Sequence, residues 1–199
     1  MIAPPVDKFS ARSPHPLDGR AGAEQDAFHY PLVATDQFRS VMAQVPSAVS
    51  VVTSALDGQP YGATVSAFES LSIDPPMMLV ALNRHSRLLH IIFRACRFRI
   101  NVLSAGQREI ADRFASKLSP DRFIGRGWKY DDGLPLLFDA QAWITCALGE
   151  VLEGGDHAIL LGYVKDAAAQ PKPPLVHYAR TYGTYSPCDD GRLIRDSTM

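Results

Sequence analysis

The stretch AVSVVTSALDGQPYGATVSAFESLSIDPPMMLVAL, residues 48–82, decides the fold. Residues 48–54 are short, β-branched and partly alternating, and Asp57-Gly58 then supplies a tight hairpin turn. Residues 61–72 continue in small and β-branched side chains as one predicted strand. Asp74-Pro75-Pro76 stops it, because proline cannot donate to a ladder. Residues 77–82 are wholly apolar and read as a central buried strand.

Downstream, the period changes. Leu88, Leu89, Ile91 and Ile92 recur at helical spacing within residues 86–95, with arginines on the other side. Residues 97–103 return to alternation, with Phe98, Ile100 and Val102 on one face, while Arg97 and Arg99 either add positive charge, with Arg94, to the region of residues 83–87 or form an exposed strand face. Ser104 and Gln107 have capping-box spacing ahead of a helix whose apolar stripe is Ile110, Ala111 and Phe114. A polar loop through Trp128 and Asp131-Asp132-Gly133 leads to a long strand over residues 142–152. Gly154-Gly155-Asp156 turns the chain into a strand over 158–164, and a last strand lies near 175–182 after Pro171, Pro173 and Pro174. Upstream, Thr35 caps a short helix bearing Phe38, Val41 and Met42, with Pro46 beyond its end. Residues 1–30, rich in Pro, Ala and charge, read as a flexible or extended arm, 31–187 as the folded domain and 188–199 as a tail. Many strands, two or three short helices and tight hairpins predict a mainly β, antiparallel barrel rather than a doubly wound parallel sheet.

Composition narrows the class. In 199 residues, 20 Lys+Arg offset 21 Asp+Glu for a net charge of -1, so no bulk basic charge advertises a nucleic-acid partner. A chain this long can bury roughly 70% of its unfolded surface without staples. Cys96, Cys146 and Cys188 form neither a disulfide framework nor a zinc pattern, which predicts reduced thiols in a cytoplasm. The N-terminus lacks a signal peptide, and the uncharged stretch 40–56 is too polar and short to span a bilayer, so no membrane association is expected. There is no GxGxxG, P-loop, HExxH or GxSxG, and the six histidines do not cluster with carboxylates, so no metal is proposed.

Three segments carry chemistry. In residues 62–72, small side chains would let a flat ligand approach the backbone; the alternative is a strand crowded against a helix or a partner. Asn83-Arg84-His85-Ser86-Arg87 precedes a helix, where amides, Arg and Ser can bind a phosphate-sized anion, or simply form a capped terminus with solvated arginines. His157, after Gly155-Asp156, can donate to a substrate carbonyl or orient a ring with Asp156 fixing its tautomer, or be an exposed turn residue. Asp131 and Asp132 read as turn residues, and Cys146 as a small core residue.

Read in order, the chain resembles the short-chain flavin reductase family, the small partners of two-component flavin-dependent monooxygenases. The matching pieces are Phe38-Arg39-Ser40-Val41-Met42, Val49-Ser50-Val51-Val52-Thr53, Gly62-Ala63-Thr64-Val65-Ser66-Ala67-Phe68 and Ser70-Leu71-Ser72-Ile73-Asp74-Pro75-Pro76. Asn83-Arg84-His85-Ser86-Arg87, Phe98-Arg99-Ile100-Asn101-Val102-Leu103, Asp121-Arg122-Phe123 and Gly155-Asp156-His157 complete the set, over about residues 35–185.

The resemblance implies an antiparallel Greek-key split barrel of the FMN-binding-like type, working as a homodimer. It implies reduction of FMN, or FAD as the alternative, by NADH or NADPH, with reduced flavin diffusing to a partner monooxygenase. Carried over by residue, it implies that Thr64, Val65, Ser66 and Ala67 line the isoalloxazine, largely through backbone groups. Leu82, Asn83, Ser86 and Arg87 would hold the ribityl and phosphate end with Asn101 nearby, and His157 would stand where the nicotinamide stacks. The chain departs from the family pattern in three places. Ser47-Ala48-Val49 replaces Thr-Gly-Val, Ala67 replaces a serine, and Leu88 replaces a threonine, the last two removing hydroxyl contacts. Two alternatives follow: a flavoprotein that retains FMN and passes electrons elsewhere, and a non-catalytic flavin-binding module.

Overall fold

Asp57 and Gly58 both take positive φ, 52° and 72°. That is the mirror-image turn whose twist suits a two-residue hairpin, and it joins β2 (Ser50–Leu56) to β3 (Gln59–Val65) as predicted. A computed structural model describes residues 31–116, 122–125 and 127–187. The expected arm 1–30, the tail 188–199, Cys188 and Asp121 lie outside the described residues. The contacts divide the chain into two units, residues 1–42 and 43–199. In the first, helix α1 (Thr35–Met42) forms at the predicted place, and its apolar residues Phe38, Val41 and Met42 are exposed.

The second unit is built on a seven-stranded sheet, with every pair of neighbours antiparallel. Its further strands are β4 (Phe68–Ile73), β5 (Pro76–Asn83), β6 (Arg97–Val102), β9 (Ala142–Gly154) and β10 (His157–Ala169). The order across it is β3-β2-β6-β9-β10-β5-β4. Its first and last strands, β3 and β4, are consecutive in the chain and joined only by Ser66 and Ala67. A link of that length spans roughly 11 Å at most. The sheet must therefore curl until its two edges meet, and the amide of Ala81 on β5 bonds the carbonyl of Ala67 at 2.9 Å to close it. Closing there and diverging beyond gives the predicted split barrel. The single strand expected over 61–72 is thus two strands, because residues 66 and 67 carry the chain from one edge of the sheet to the other.

The barrel interior holds Val52, Val65, Val80, Leu82, Phe98, Ile100, Cys146, Ala158 and Leu160. Helix α2 (Arg87–Ala95) contributes Leu88, Leu89 and Ile92 to the same cluster, with Ile91 also buried, as its apolar period predicts. Cys146 is fully buried, as read from the strand alternation. β5 buries Val80 and Leu82 while Met77 and Leu79 stay half-exposed. The expectation of a central buried strand is corrected to a strand buried on one face, since the outer cluster that covers β2 contains no residue of β5.

A second layer covers the outside of β2 and β6. Val51 and Val52 are adjacent and point to opposite faces, yet both are 0% exposed. Val51 packs with Val49, Leu103, Leu137, Leu175 and with Ala111 and Phe114 of helix α3 (Arg108–Ala115), which follows a 3₁₀ turn capped by the predicted Ser104/Gln107 box. The presumed polar loop contains a hairpin of β7 (Trp128–Asp131) and β8 (Leu134–Leu137). It docks here because Leu134 and Leu137 bury their side chains. The last predicted strand is likewise a hairpin, β11 (Val176–Tyr178) and β12 (Thr181–Gly183), turning at Ala179 and Arg180, both of positive φ. It completes a small sheet with β1 (Ser47–Ala48).

Arg99 overturns its predicted exposure. It is 1% exposed, on the face covered by this outer layer. Its Nη2 donates to Asp131 at 2.7 Å and its Nε to the Thr145 hydroxyl at 2.9 Å, with the guanidinium 4.9 Å above the Trp143 ring. A buried charge persists only when paired and hydrogen-bonded. Asp131 is therefore the counter-ion of Arg99 rather than a turn residue, whereas Asp132, with φ 46°, does occupy the turn.

Candidate functional site

β5 and β10 pair so that Asn83 stands directly opposite His157. The amide of Arg84 bonds the carbonyl of Asp156 at 3.0 Å, tying the chain ahead of α2 to the β9–β10 turn. Ala67, bonded to Ala81 of β5, brings the β3–β4 link to the same strand. Three segments far apart in sequence, 64–67, 83–87 and 156–157, thus share β5 as their common neighbour.

Within the first segment, Val65 is buried at 8% exposure and its carbonyl accepts from the buried Ser50 hydroxyl at 2.8 Å, while Ser66 and Ala67 are exposed. Thr64 donates its hydroxyl to the Ala111 carbonyl of α3 at 2.6 Å. Its side chain anchors the strand, leaving the backbone as the group it can offer a ligand. Ser66 and Ala67 thus form an exposed step of small residues at which a flat ring can approach the chain.

In the second segment, Leu82 is a core residue at 4% exposure and again offers only backbone. The Asn83 side-chain carbonyl accepts from the His85 amide at 3.0 Å, and the Ser86 amide bonds the Asn83 carbonyl at 2.8 Å, making a tight corner. Ser86 is the N-cap of α2 but makes no side-chain capping bond. Its hydroxyl is thus left for a ligand at the positive end of a nine-residue helix. Arg87 is exposed beside it, its guanidinium 5.0 Å above the Tyr61 ring, while Arg84 is drawn to Glu153 at 3.3 Å. The arrangement fits a terminal phosphate: one unused hydroxyl, first-turn amides and one guanidinium held by a ring.

In the third, His157 Nδ1 lies 2.7 Å from an Asp156 carboxylate oxygen, with the His157 side chain 42% exposed. Nδ1–H donates to the carboxylate, which leaves Nε2 for an incoming group. The hydrogen bond from His157, and then its charge, hold the Asp156 carboxyl below its ordinary value.

Asn101 does not join this group. It is fully buried two strands in from β3, in register with Val51 and through it with Thr64, roughly 10 Å away across two strand spacings. Its Nδ2 donates to the Val51 carbonyl and the Thr53 hydroxyl, each at 3.1 Å, and its Oδ1 accepts from the Leu137 amide at 3.0 Å. With both donor protons used, Asn101 pins the outer layer to the barrel, and the flavin contact expected of it is not carried forward. Tyr61 escaped sequence reading because it lies 26 residues before Arg87, and nothing in the local pattern marks the pairing. Among the described residues no group of His, Cys, Asp and Glu is placed to hold a metal ion, and no helix is long and apolar enough to cross a membrane.

Comparison with known proteins matches residues 42–186 to the flavin reductase like domain. The reductase component of 4-nitrophenol 4-monooxygenase/4-nitrocatechol 2-monooxygenase from Rhodococcus opacus is 38% identical over 151 residues, 76% of this chain and 81% of that one. The NADH flavin reductase of Kitasatospora aureofaciens is 37% identical over 169 residues, 81% of this chain and 87% of its own length. Among solved structures, the NADH:FAD oxidoreductase SgcE6 of Streptomyces globisporus C-1027, in complex with NAD and FAD fragments, superposes with a TM-score of 0.74 at 31% identity, covering 81% of this chain and 100% of that one.

Proposed function

The chain belongs to the family of flavin reductase-like domains, and from that premise we propose that it is an NAD(P)H-dependent flavin reductase whose flavin lies across segments 64–67 and 83–87. The flavin is FMN, with FAD as the alternative, and NADH or NADPH is the donor. Reduced flavin leaves for a partner monooxygenase, a reading supported by the Rhodococcus relative, which is named as the reductase component of a monooxygenase. The protein works as a homodimer in the cytoplasm. Support for a dimer comes from edge strand β4, where Leu71 and Ile73 stand 44% and 83% exposed.

The observation that carries the reading is the convergence on β5 of an exposed small-residue link, an uncommitted helix N-terminus and a histidine oriented by a carboxylate. When bound, the nicotinamide and flavin supply the hydride chemistry between themselves. The protein's part is to hold them at reacting distance and in a suitable field. Thr64, Val65, Ser66 and Ala67 line the ring, largely through backbone groups, and Leu82 and Asn83 hold the ribityl end beside it. Ser86 and Arg87 receive the phosphate with the α2 amides. His157, its Nδ1 held by Asp156, presents Nε2 to the nicotinamide as an orienting group.

The test is nicotinamide oxidation by purified protein with FMN, FAD or no flavin added. Activity that requires and saturates with free flavin is expected. Activity independent of added flavin would replace the reading with a flavoprotein that retains FMN, and folded protein inactive with both nucleotides would leave a binding module.

A further inference from the structure

β3 has β2 on one side and, among the described residues, no strand on the other. An open strand edge leaves backbone groups without ladder partners and the strand free to move. Here Arg122 occupies that edge. Its Nη1 donates to the Gly62 carbonyl at 2.8 Å, and its Nη2 donates to the Ser116 carbonyl at 2.6 Å. Ser116 is the C-cap of α3, so one planar guanidinium joins the free edge of β3 to the negative end of a helix.

The neighbouring residues show that this placement is built in. A Cβ at Gly62 would stand 2.8 Å from Phe114 Cε1 and 3.2 Å from Phe123 Cζ, so only glycine lets both rings lie on the strand. Phe114, Phe123, Trp128 and Tyr130 follow one another edge to face at 4.9, 5.0 and 5.1 Å. Trp128 Nε1 donates to the Phe123 carbonyl at 2.6 Å, and the Tyr130 hydroxyl donates to the Gly58 carbonyl at 2.7 Å. β3 is thus held from its hairpin tip at Gly58 to Gly62, two residues before Thr64, which is itself bonded to α3.

We propose that Arg122 is a positioning residue for the flavin-lining segment 64–67, acting by clamping the free edge of β3 to the C-terminal end of α3. It touches neither flavin nor nicotinamide. Its loss lets β3 drift while the nicotinamide side at His157, carried by β10, stays in place. This rests on the flavin reductase reading above.

The experiment compares wild type, Arg122→Met and Arg122→Lys. It measures FMN and FAD affinity by fluorescence titration, steady-state kinetics in flavin and nicotinamide, and amide hydrogen exchange. In Arg122→Met the flavin Kd and KM are expected to rise about tenfold. kcat at saturating flavin and the nicotinamide KM should stay within about twofold. Exchange should quicken in peptides covering residues 59–67 but not in those covering β6. Arg122→Lys keeps the charge but cannot reach both carbonyls in one plane, so it should fall between, and it carries the same test if Arg122→Met does not fold. A lowered Tm with flavin affinity unchanged would make Arg122 a purely structural residue and overturn the proposal. Unchanged exchange over 59–67 would do the same. A wild type that neither binds flavin nor oxidises nicotinamide would instead refute the functional reading, leaving the clamp to be judged by exchange alone.

Discussion

Replacing Asp131 by alanine should destabilise the protein more than replacing Arg99 by methionine, although the two form one ion pair. Asp131→Ala removes the carboxylate 2.7 Å from a guanidinium that is 1% exposed. Deleting one partner of a fully buried pair costs about 3–5 kcal/mol. Two features reduce that here. The Asp131 side chain retains 35% of its exposure, so water can occupy part of the vacated space, and Arg99 keeps Thr145 at 2.9 Å and the Trp143 ring at 4.9 Å. The expected cost is about 2–3 kcal/mol, which in a domain of this size lowers Tm by about 4–12 °C. Arg99→Met leaves no buried charge: the orphaned carboxylate turns to water and the methionine fills much of the arginine volume, for about 1–2 kcal/mol. The double variant should be less destabilised than the sum of the singles by about 1–2 kcal/mol. Urea and thermal unfolding of the four proteins test this. Equal losses in the two single variants, or strict additivity in the double, would show that Arg99 is not held by Asp131 as a buried pair.

His157→Ala should raise the nicotinamide KM or slow flavin reduction about 10- to 100-fold while sparing flavin affinity; unchanged hydride-transfer rates in stopped flow would remove His157 from the site. The Asp156 carboxyl lies below its ordinary value because His157 bonds and attracts its charged form. A depressed folded-state value means the pair is complete above the usual carboxylate pKa of about 4 and is lost only as pH falls through the lower folded one. The Asp156 carboxyl resonance should therefore titrate below about pH 4, and a midpoint at or above it would mean that the pair does not form in solution. Burial pushes the Cys146 thiol up to about 12, whereas Cys96 is exposed. Peptide mapping after brief maleimide treatment at neutral pH should find Cys96 modified and Cys146 intact, and rapid labelling of Cys146 would show the barrel interior to be open.

Local pattern was enough wherever a residue's fate depends on its neighbours in sequence. Asp57-Gly58 specifies its turn through allowed φ alone, the spacing of Leu88, Leu89, Ile91 and Ile92 specifies the buried face of α2, and the alternation around Cys146 specifies its burial. The ordered pieces from Phe38 to His157 pointed to the family and to the segments that meet on β5. Arg99 alternates with Phe98 and Ile100 and so looks solvent-facing, but a second layer covers that face and buries it together with Asn101. Ser66 and Ala67 read as mid-strand, although they are the step between the two edges of the sheet.

What the sequence determined by itself is therefore the helices, most of the barrel strands, the Asp57-Gly58 and Gly154-Gly155 turns and the family, because turn geometry and side-chain periodicity act over a few residues. Only the tertiary structure decided which faces are covered twice, which polar groups are already spent inside the protein, and that His157 stands opposite Asn83. Those outcomes depend on strands that pair across tens of residues, where register and the docking of β7–β8 and α3 arise from the whole barrel closing at once.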